Sequence, residues 1–383
     1  MQKKKIILFV VNQAKYLISH RLVIAREAQK SGYEVHIAVP FKDEIELLKK
    51  ENFQLHKIPI SRSGINLFGE IISILSIWRV IIKVNPNLVH LISIKAVIYG
   101  GIVTRLHSIP AVMAISGLGY LSSSGKESWV KYFIEPLFRL SLNQKENLVI
   151  IQNRSDEKAL KLIGALERNQ SKLIPGSGVN INKFKFTSIP ESTPMILMPS
   201  RMLWDKGVGV FVNSAKIVKS QKTSVKFVLA GPYDPDNPSS ISMLQLNKWN
   251  DSGVIEWWGD RDDMPDVYKK SHIVVFPTNY GEGVPKVLLE ASSSGRPIIT
   301  TNTPGCNDII IDKVNGLLVS PNDPELLASS IINLLNDRSM MTEMGRIGRE
   351  MAKDCFDVKH VVKEHLLIYA TLTDKDSEIY EKS

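Results

Sequence analysis

The chain has 383 residues, 44% hydrophobic and 23% charged, with 23 Gly and 19 Pro, a composition that excludes disordered, collagenous and disulfide-scaffold classes. A single hydrophobic core stops growing at roughly 250–300 residues, so two domains with a ligand-sized cleft are expected. The formal net charge of +9 divides unevenly, with +14 over residues 1–190 and −5 over 191–383; a nucleic-acid partner asks for cations on both halves, so the acidic second half argues against one.

In chain order, Met1-Gln2-Lys3-Lys4-Lys5 leads into the apolar run 6–11. That run is too short for a signal peptide and lacks its small-residue cleavage site, so it reads as a buried first strand. Further strands are predicted over 34–39, 88–92, 111–115 and 148–151, with helical spacing over 20–30 and 43–51 between them. The longest apolar stretch, 67–82, carries Glu70 and Arg79 and falls short of the ~20 residues that a membrane span requires. His20 and Arg21 are placed in the loop after the first strand. The partial glycine pattern Gly117-Leu118-Gly119 lacks a third glycine, and Gly117 and Gly119 read as points where backbone approaches a ligand. Residues 129–140 mix aromatics, aliphatics and cations. They read either as a core helix or as a helix lying on an anionic bilayer, and the basic first half favours the bilayer slightly.

A polar stretch near 180–194 precedes a second series of strands at 195–198, 226–230, 254–257, 273–276, 297–300 and 317–319. Strands alternating with helices throughout predict an α/β chain of two Rossmann-like, doubly wound parallel-sheet domains. The expected division is a first domain over 1–187, a second over 188–356, and a last helix in 357–383 that packs back across the cleft. Cys306 and Cys355 are the only cysteines, and no Cys/His group has metal-ligand spacing, so a disulfide framework and a zinc site are not expected and a reducing compartment is. Cys306 reads as packing.

Two segments carry chemistry. In Phe276-Pro277-Thr278-Asn279-Tyr280-Gly281-Glu282-Gly283-Val284-Pro285-Lys286-Val287-Leu288-Leu289-Glu290 a strand ends, a Gly-containing loop follows, and a helix starts near Pro285. Backbone N–H groups and the positive end of that helix form a phosphate site. Glu282 in the loop and Glu290 about five residues into the helix suit sugar or ribose hydroxyls, unless Glu282 merely caps the helix and Glu290 faces solvent. In Pro199-Ser200-Arg201-Met202-Leu203-Trp204-Asp205-Lys206-Gly207 the cations Arg201 and Lys206 lie between a strand and the helix expected over 211–219, where they suit a leaving diphosphate unless they are merely solvated surface charges.

These segments, with Gly295-Arg296-Pro297-Ile298, Thr303-Pro304-Gly305-Cys306, Asn315-Gly316-Leu317-Leu318-Val319 and Gly259-Asp260-Arg261-Asp262-Asp263-Met264, resemble the family 4 glycosyltransferases of the GT-B fold. Ser19-His20-Arg21-Leu22, Lys95-Ala96-Val97-Ile98-Tyr99-Gly100-Gly101 and Ser116-Gly117-Leu118-Gly119-Tyr120 agree more loosely and look like the bacterial branch that extends lipid-linked oligosaccharides for O-antigen, capsule or protein glycans. The resemblance implies a retaining, metal-independent enzyme without a cofactor. Its donor would be a nucleotide sugar, in the first instance a UDP-sugar, and its acceptor a saccharide on undecaprenyl diphosphate at the cytoplasmic face of the plasma membrane. It implies Arg201 and Lys206 on the donor diphosphate, Glu282 near the reacting carbon, Glu290 on the ribose, and backbone of Gly283, Val284, Pro285, Lys286 and Val287 around the phosphates. Base recognition would fall on the loop from Trp258 to Arg261. Many members carry a His near the position of Ser116 or Gly117, and this chain does not. His20, Arg21 and Lys95 are the acceptor-side candidates.

Two other classes compete. A nucleotide-sugar epimerase or a phosphorylase has no use for a basic, amphipathic first domain, and a phosphorylase needs a cofactor lysine that no motif supplies. A non-catalytic glycan- or nucleotide-binding module would be favoured by loss of Glu282 or Lys206, and both are present.

Overall fold

The computed structural model describes residues 4–41, 44–61, 67–118, 128–221 and 224–374, with the side chains at 67 and 128–133 also outside the description. It resolves into two compact units. One gathers the described residues up to Ser116, those of 128–177 and those from Val361 onward, and the other holds Gly117, Leu118 and the described residues of Gly178–His360. The boundary therefore falls at 177/178 rather than 187/188. Segment 178–187 stays with the second unit because arginines there hold its carbonyls: Arg349 Nη1 bonds Phe184 O at 3.0 Å and Ile181 O at 3.3 Å, and Arg296 bonds Thr187 O.

The first unit runs β1 (Ile6–Val11), α1 (Ala14–His20), α2 (Leu22–Lys30), β2 (Glu34–Val39), α3 (Ile45–Lys49), β3 (Gln54–Lys57), α4 (Leu67–Val84), β4 (Leu88–Ile92), α5 (Ile94–Leu106), β5 (Ala111–Ile115), α6 (Ser128–Leu142), β6 (Asn147–Ile151), α7 (Arg154–Leu162) and β7 (Ser171–Leu173). Its described strands form one parallel sheet in the order β3-β2-β1-β4-β5-β6-β7. The central strands are buried on both faces, as helices on both sides of a parallel sheet require, β1 and β5 as continuous apolar runs and β4 with His90 at its centre. β3 and β7 are the polar edges. The helix expected over 20–30 is α2, and α1 precedes it, which places His20 at the end of α1 rather than in a loop.

The second unit continues with β8 (Met195–Pro199), a 3-10 turn over Trp204–Lys206, α8 (Val208–Gln221), β9 (Lys226–Ala230), α9 (Met243–Asp251), β10 (Glu256–Trp257), α10 (Met264–Lys270), β11 (Ile273–Phe276), α11 (Lys286–Ser293), β12 (Ile298–Thr301), β13 (Gly316–Val319), α12 (Pro324–Asn336) and α13 (Arg338–Asp354). Its strands are parallel in the order β10-β9-β8-β11-β12-β13. The period-2 alternation of β8 divides it between two cores. Ile196 and Met198 face Phe211 and Leu327 on one side, while Met195 and Leu197 face Leu288 and Ala291 on the other. Strand order reverses between β8 and β11, and the crevice at the carboxyl ends of such a pair is where open α/β sheets bind ligands.

The last helix, α14 (Val358–Thr373), belongs to the first unit from Val361 onward. Tyr369 and His365 are fully buried there, with Tyr369 Oη 2.6 Å from His90 Nδ1. No described helix is long and apolar enough to cross a membrane.

Candidate functional site

Both chemistry-bearing segments leave the sheet at its reversal point. The first follows β8 and ends in the 3-10 turn that carries Lys206, and the second follows β11 and opens α11. Gly207 fixes the first turn. Its φ is +77° and a Cβ there would sit 1.9 Å from Pro277 O, so only glycine lets the two loops lie against each other. Thr278 Oγ1 donates to Asp205 O at 3.2 Å, and Asn279 N donates to the same carbonyl at 3.1 Å. The second loop is also pinned from β12: Glu282 N donates to Pro304 O at 3.0 Å, and a Cβ on Gly305 would fall 1.7 Å from Gly283 O.

That framework brings Lys206 Nζ onto Glu282 Oε1 in an ion pair whose side chains are 10% and 15% exposed. Lys206 Nζ also lies 3.2 Å from Tyr280 Oη and 5.0 Å from the Tyr280 ring centroid. Burial pulls the ammonium pKa down, but attraction to Glu282 and Tyr280 outweighs it, and the net shift is upward. Lys206 is thus a cation held in place at any physiological pH. Glu282 takes a further bond from Thr278 Oγ1 at 3.2 Å. The N-cap residue of α11 is Pro285, not Glu282.

Glu290 is the fifth residue of α11 and is buried, not solvent-facing. Burial raises its carboxyl pKa, while Lys286, with Nζ 3.7 Å from Oε1, and the Tyr268 hydroxyl, 3.2 Å from Oε2, pull the other way. Arg201 Nη1 is paired with Asp234 Oδ2 at 2.7 Å in the loop after β9. Val284 and Pro285 are buried, Lys286 and Val287 half-buried, and the first N–H groups of α11 have no intrahelical acceptor. Trp258 follows β10, donates from Nε1 to Glu256 Oε2 at 3.1 Å, and has the Arg261 guanidinium 5.9 Å from its ring centroid. Arg261 itself is doubly bonded to Asp263 at 2.8 and 2.6 Å. Gly117 groups with this unit, and a Cβ on it would meet Gly283 N at 2.6 Å. Gly119 lies outside the described residues.

The acceptor-side candidates His20 and Lys95 each have described partners of their own. His20 stacks on Tyr16 at 4.3 Å and takes a 2.6 Å bond with Ser19 Oγ. Arg21 is fully buried, its Nε and Nη1 without hydrogen-bond partners. Lys95, in the first turn of α5, bonds Glu70 Oε1 at 2.5 Å and Ser61 Oγ at 2.6 Å, while Tyr99 donates to Glu70 Oε2 at 2.7 Å. No group of three or more His, Cys, Asp and Glu suited to a metal occurs among the described residues. Sequence reasoning missed Asp234 and Tyr268 as partners of the candidate site, because each acts from a separate element that no local pattern places beside its partner; Thr278 lay inside the second chemistry-bearing segment, but its bond to Glu282 follows only from how that loop folds back. Cys306 is buried in the second core, its thiol pushed up to about 11 by burial.

Two family models cover most of the chain. Glycosyl transferases group 1 matches residues 179–351 and Glycosyl transferase 4-like matches residues 6–153. The chain belongs to this glycosyltransferase family. The Campylobacter jejuni N,N'-diacetylbacillosaminyl-diphospho-undecaprenol alpha-1,3-N-acetylgalactosaminyltransferase is 26% identical, over 94% of this chain and 97% of its own. The capsular polysaccharide biosynthesis glycosyltransferase CapM of Staphylococcus aureus is also 26% identical, over 91% and 93% of the two chains. Among solved structures, Anabaena HepE in complex with UDP and glucose superposes with a TM-score of 0.76 at 17% identity, over 96% of this chain and all of its own. The fold is GT-B, and this family member is a glycosyltransferase of the kind that builds bacterial surface glycans.

Proposed function

We propose that this glycosyltransferase moves a hexose or N-acetylhexosamine from a UDP-sugar to a saccharide carried on undecaprenyl diphosphate, with retention at the anomeric carbon and without a metal ion or other cofactor. The observation that carries the donor side is the buried Lys206–Glu282 pair at the carboxyl edges of β8 and β11, beside the N-terminus of α11. Lys206, Arg201 and that helix end supply the positive charge a departing diphosphate needs, in place of a cation from solution. Glu282, held by Lys206 and Thr278, stands where it receives the sugar hydroxyls. Glu290, oriented by Tyr268, takes the ribose, and Trp258 with Arg261 takes the base. In the transfer, the bond from anomeric carbon to diphosphate oxygen breaks as the acceptor hydroxyl oxygen bonds from the same face. The hydroxyl proton passes to the leaving diphosphate.

The UDP assignment draws on HepE, and the lipid-linked acceptor on the Campylobacter relative. The enzyme would then work at the cytoplasmic face of the plasma membrane, with its donor in solution. The deciding experiment incubates the purified protein with a panel of UDP-sugars, with and without chelator, and follows UDP release. Slow, chelator-insensitive release with one sugar is expected, and anomeric protons of the product by NMR should show the donor's configuration. Absence of release together with absence of UDP binding by calorimetry would refute it.

A further inference from the structure

Helix α4 is apolar on two sides. Ile77, Ile81 and Val84 face the core of the first unit, whereas Phe68, Ile71, Ile72, Leu75, Trp78 and Ile82 are exposed. Phe68 is 80% exposed and Ile71 and Ile72 just over half. The outward set recurs every three or four residues, so it is one continuous stripe about 22 Å long. A core-packing role explains the inner set only. Burial of hydrophobic residues ordinarily leaves isolated apolar side chains at the surface, and a contiguous stripe of six is of a different kind.

Charge on this face is of one sign. Arg79 and Lys83 are exposed on the same stripe, while the one carboxylate of the helix, Glu70, is turned aside onto Lys95 and Tyr99. Leu106, three-quarters exposed at the end of α5, extends the apolar surface, and its neighbour His107 accepts the Trp78 indole N–H at 2.9 Å. We infer that the outward face of α4 lies in the headgroup region of an anionic bilayer, with Phe68 to Ile82 inserted and Arg79 and Lys83 on lipid phosphates. A second copy of the chain fits less well, since this face offers no carboxylate among its described residues to meet those cations, whereas a phosphate surface does. The basic excess of the first half acts in the same direction. Helix α6, read from sequence as the bilayer candidate, exposes Leu137 and Leu140 but buries Phe138 and Leu142, and its side chains at 128–133 lie outside the described residues. The inference deepens the lipid-carried acceptor proposed above by naming the surface that meets the lipid, and its test needs no acceptor.

The full chain is floated with phosphatidylcholine vesicles, with and without phosphatidylglycerol, and UDP binding is measured in parallel. Wild type should float only with phosphatidylglycerol. Ile71→Glu combined with Leu75→Glu should lower vesicle affinity roughly tenfold or more, and Arg79→Gln with Lys83→Gln roughly fivefold per cation, with a shallower salt dependence. Both double variants should melt and bind UDP as wild type does. Unchanged flotation of the Glu variant, a loss confined to Leu137→Glu with Leu140→Glu on α6, or self-association through α4 without lipid binding would overturn the inference. A wild type that binds UDP but no vesicle would overturn it and leave the donor site standing; vesicle binding without UDP binding would do the reverse.

Discussion

Lys206 and Glu282 stand 76 positions apart and meet as a buried ion pair between the loop after β8 and the loop after β11. Each is the other's counter-charge, so removing one leaves the other uncompensated in a place where water cannot replace it. Lys206→Ala should therefore cost roughly 3–5 kcal/mol of stability and lower turnover about 10²–10³-fold. The pair Lys206→Met with Glu282→Gln separates the two effects: urea midpoints should recover while turnover stays low. Recovery of both would show the pair to be structural only.

Glu290 gives a pH signature. Burial holds its folded carboxyl pKa above the ordinary value of 4.5, so in the window just above 4.5 the folded protein binds a proton that the unfolded chain has lost. Stability then falls as pH rises through that window. Glu290→Gln should remove this fall, making the variant more stable than wild type near neutrality, and should weaken UDP binding about tenfold through the ribose. Thermal melts across the acid range and calorimetry with UDP report the two effects separately.

The buried histidines His365 of α14 and His90 of β4 titrate in the opposite sense. Burial keeps His365 neutral down to about 3 and lowers His90 well below 6.5, with Arg21 adding to both. The unfolded chain takes up protons near 6.5 that the folded chain refuses, so stability is lost as pH falls from about 6.5 toward about 3. His365→Phe should flatten this loss by close to one proton, read from the slope of unfolding free energy against pH.

Arg296 is fully buried, with its guanidinium spread over Ser271 O at 2.9 Å, Thr187 Oγ1 at 2.8 Å and Ser188 O at 3.2 Å. Burial lowers its pKa to about 10. Lysine cannot reproduce that planar fork. Arg296→Lys should destabilise the protein by about 3 kcal/mol with no specific effect on UDP affinity in the folded fraction, and proteolysis should strike near 181–188 first.

The central strands were legible because burial on both faces writes itself as an unbroken apolar run, as in Ile6–Val11 and Ile273–Phe276. The edge strands were not: Gln54–Lys57 and Ser171–Leu173 carry polar residues on exposed sides, and no strand was predicted there. Helix α1 was not predicted, since helical spacing was read only from 20 onward and the residues before it were taken with the loop after β1. The stripe on α4 was visible as hydrophobicity but not as direction, since a helix apolar all round gives no clue to which side is covered. Within the candidate site, the position of Arg201, Lys206, Glu282 and Glu290 on strand-loop-helix turns was legible. Asp234 and Tyr268 were not, because only the order β9-β8-β11 brings their loops and helices beside those residues.

The two cations proposed for the donor diphosphate each arrive already matched, Arg201 to Asp234 and Lys206 to Glu282. A site of this kind is close to electroneutral, so it does not draw polyanions indiscriminately from solution. Ionic strength should have little hold on donor affinity, and inorganic phosphate should compete poorly, because recognition depends on a ligand long enough to engage both pairs together.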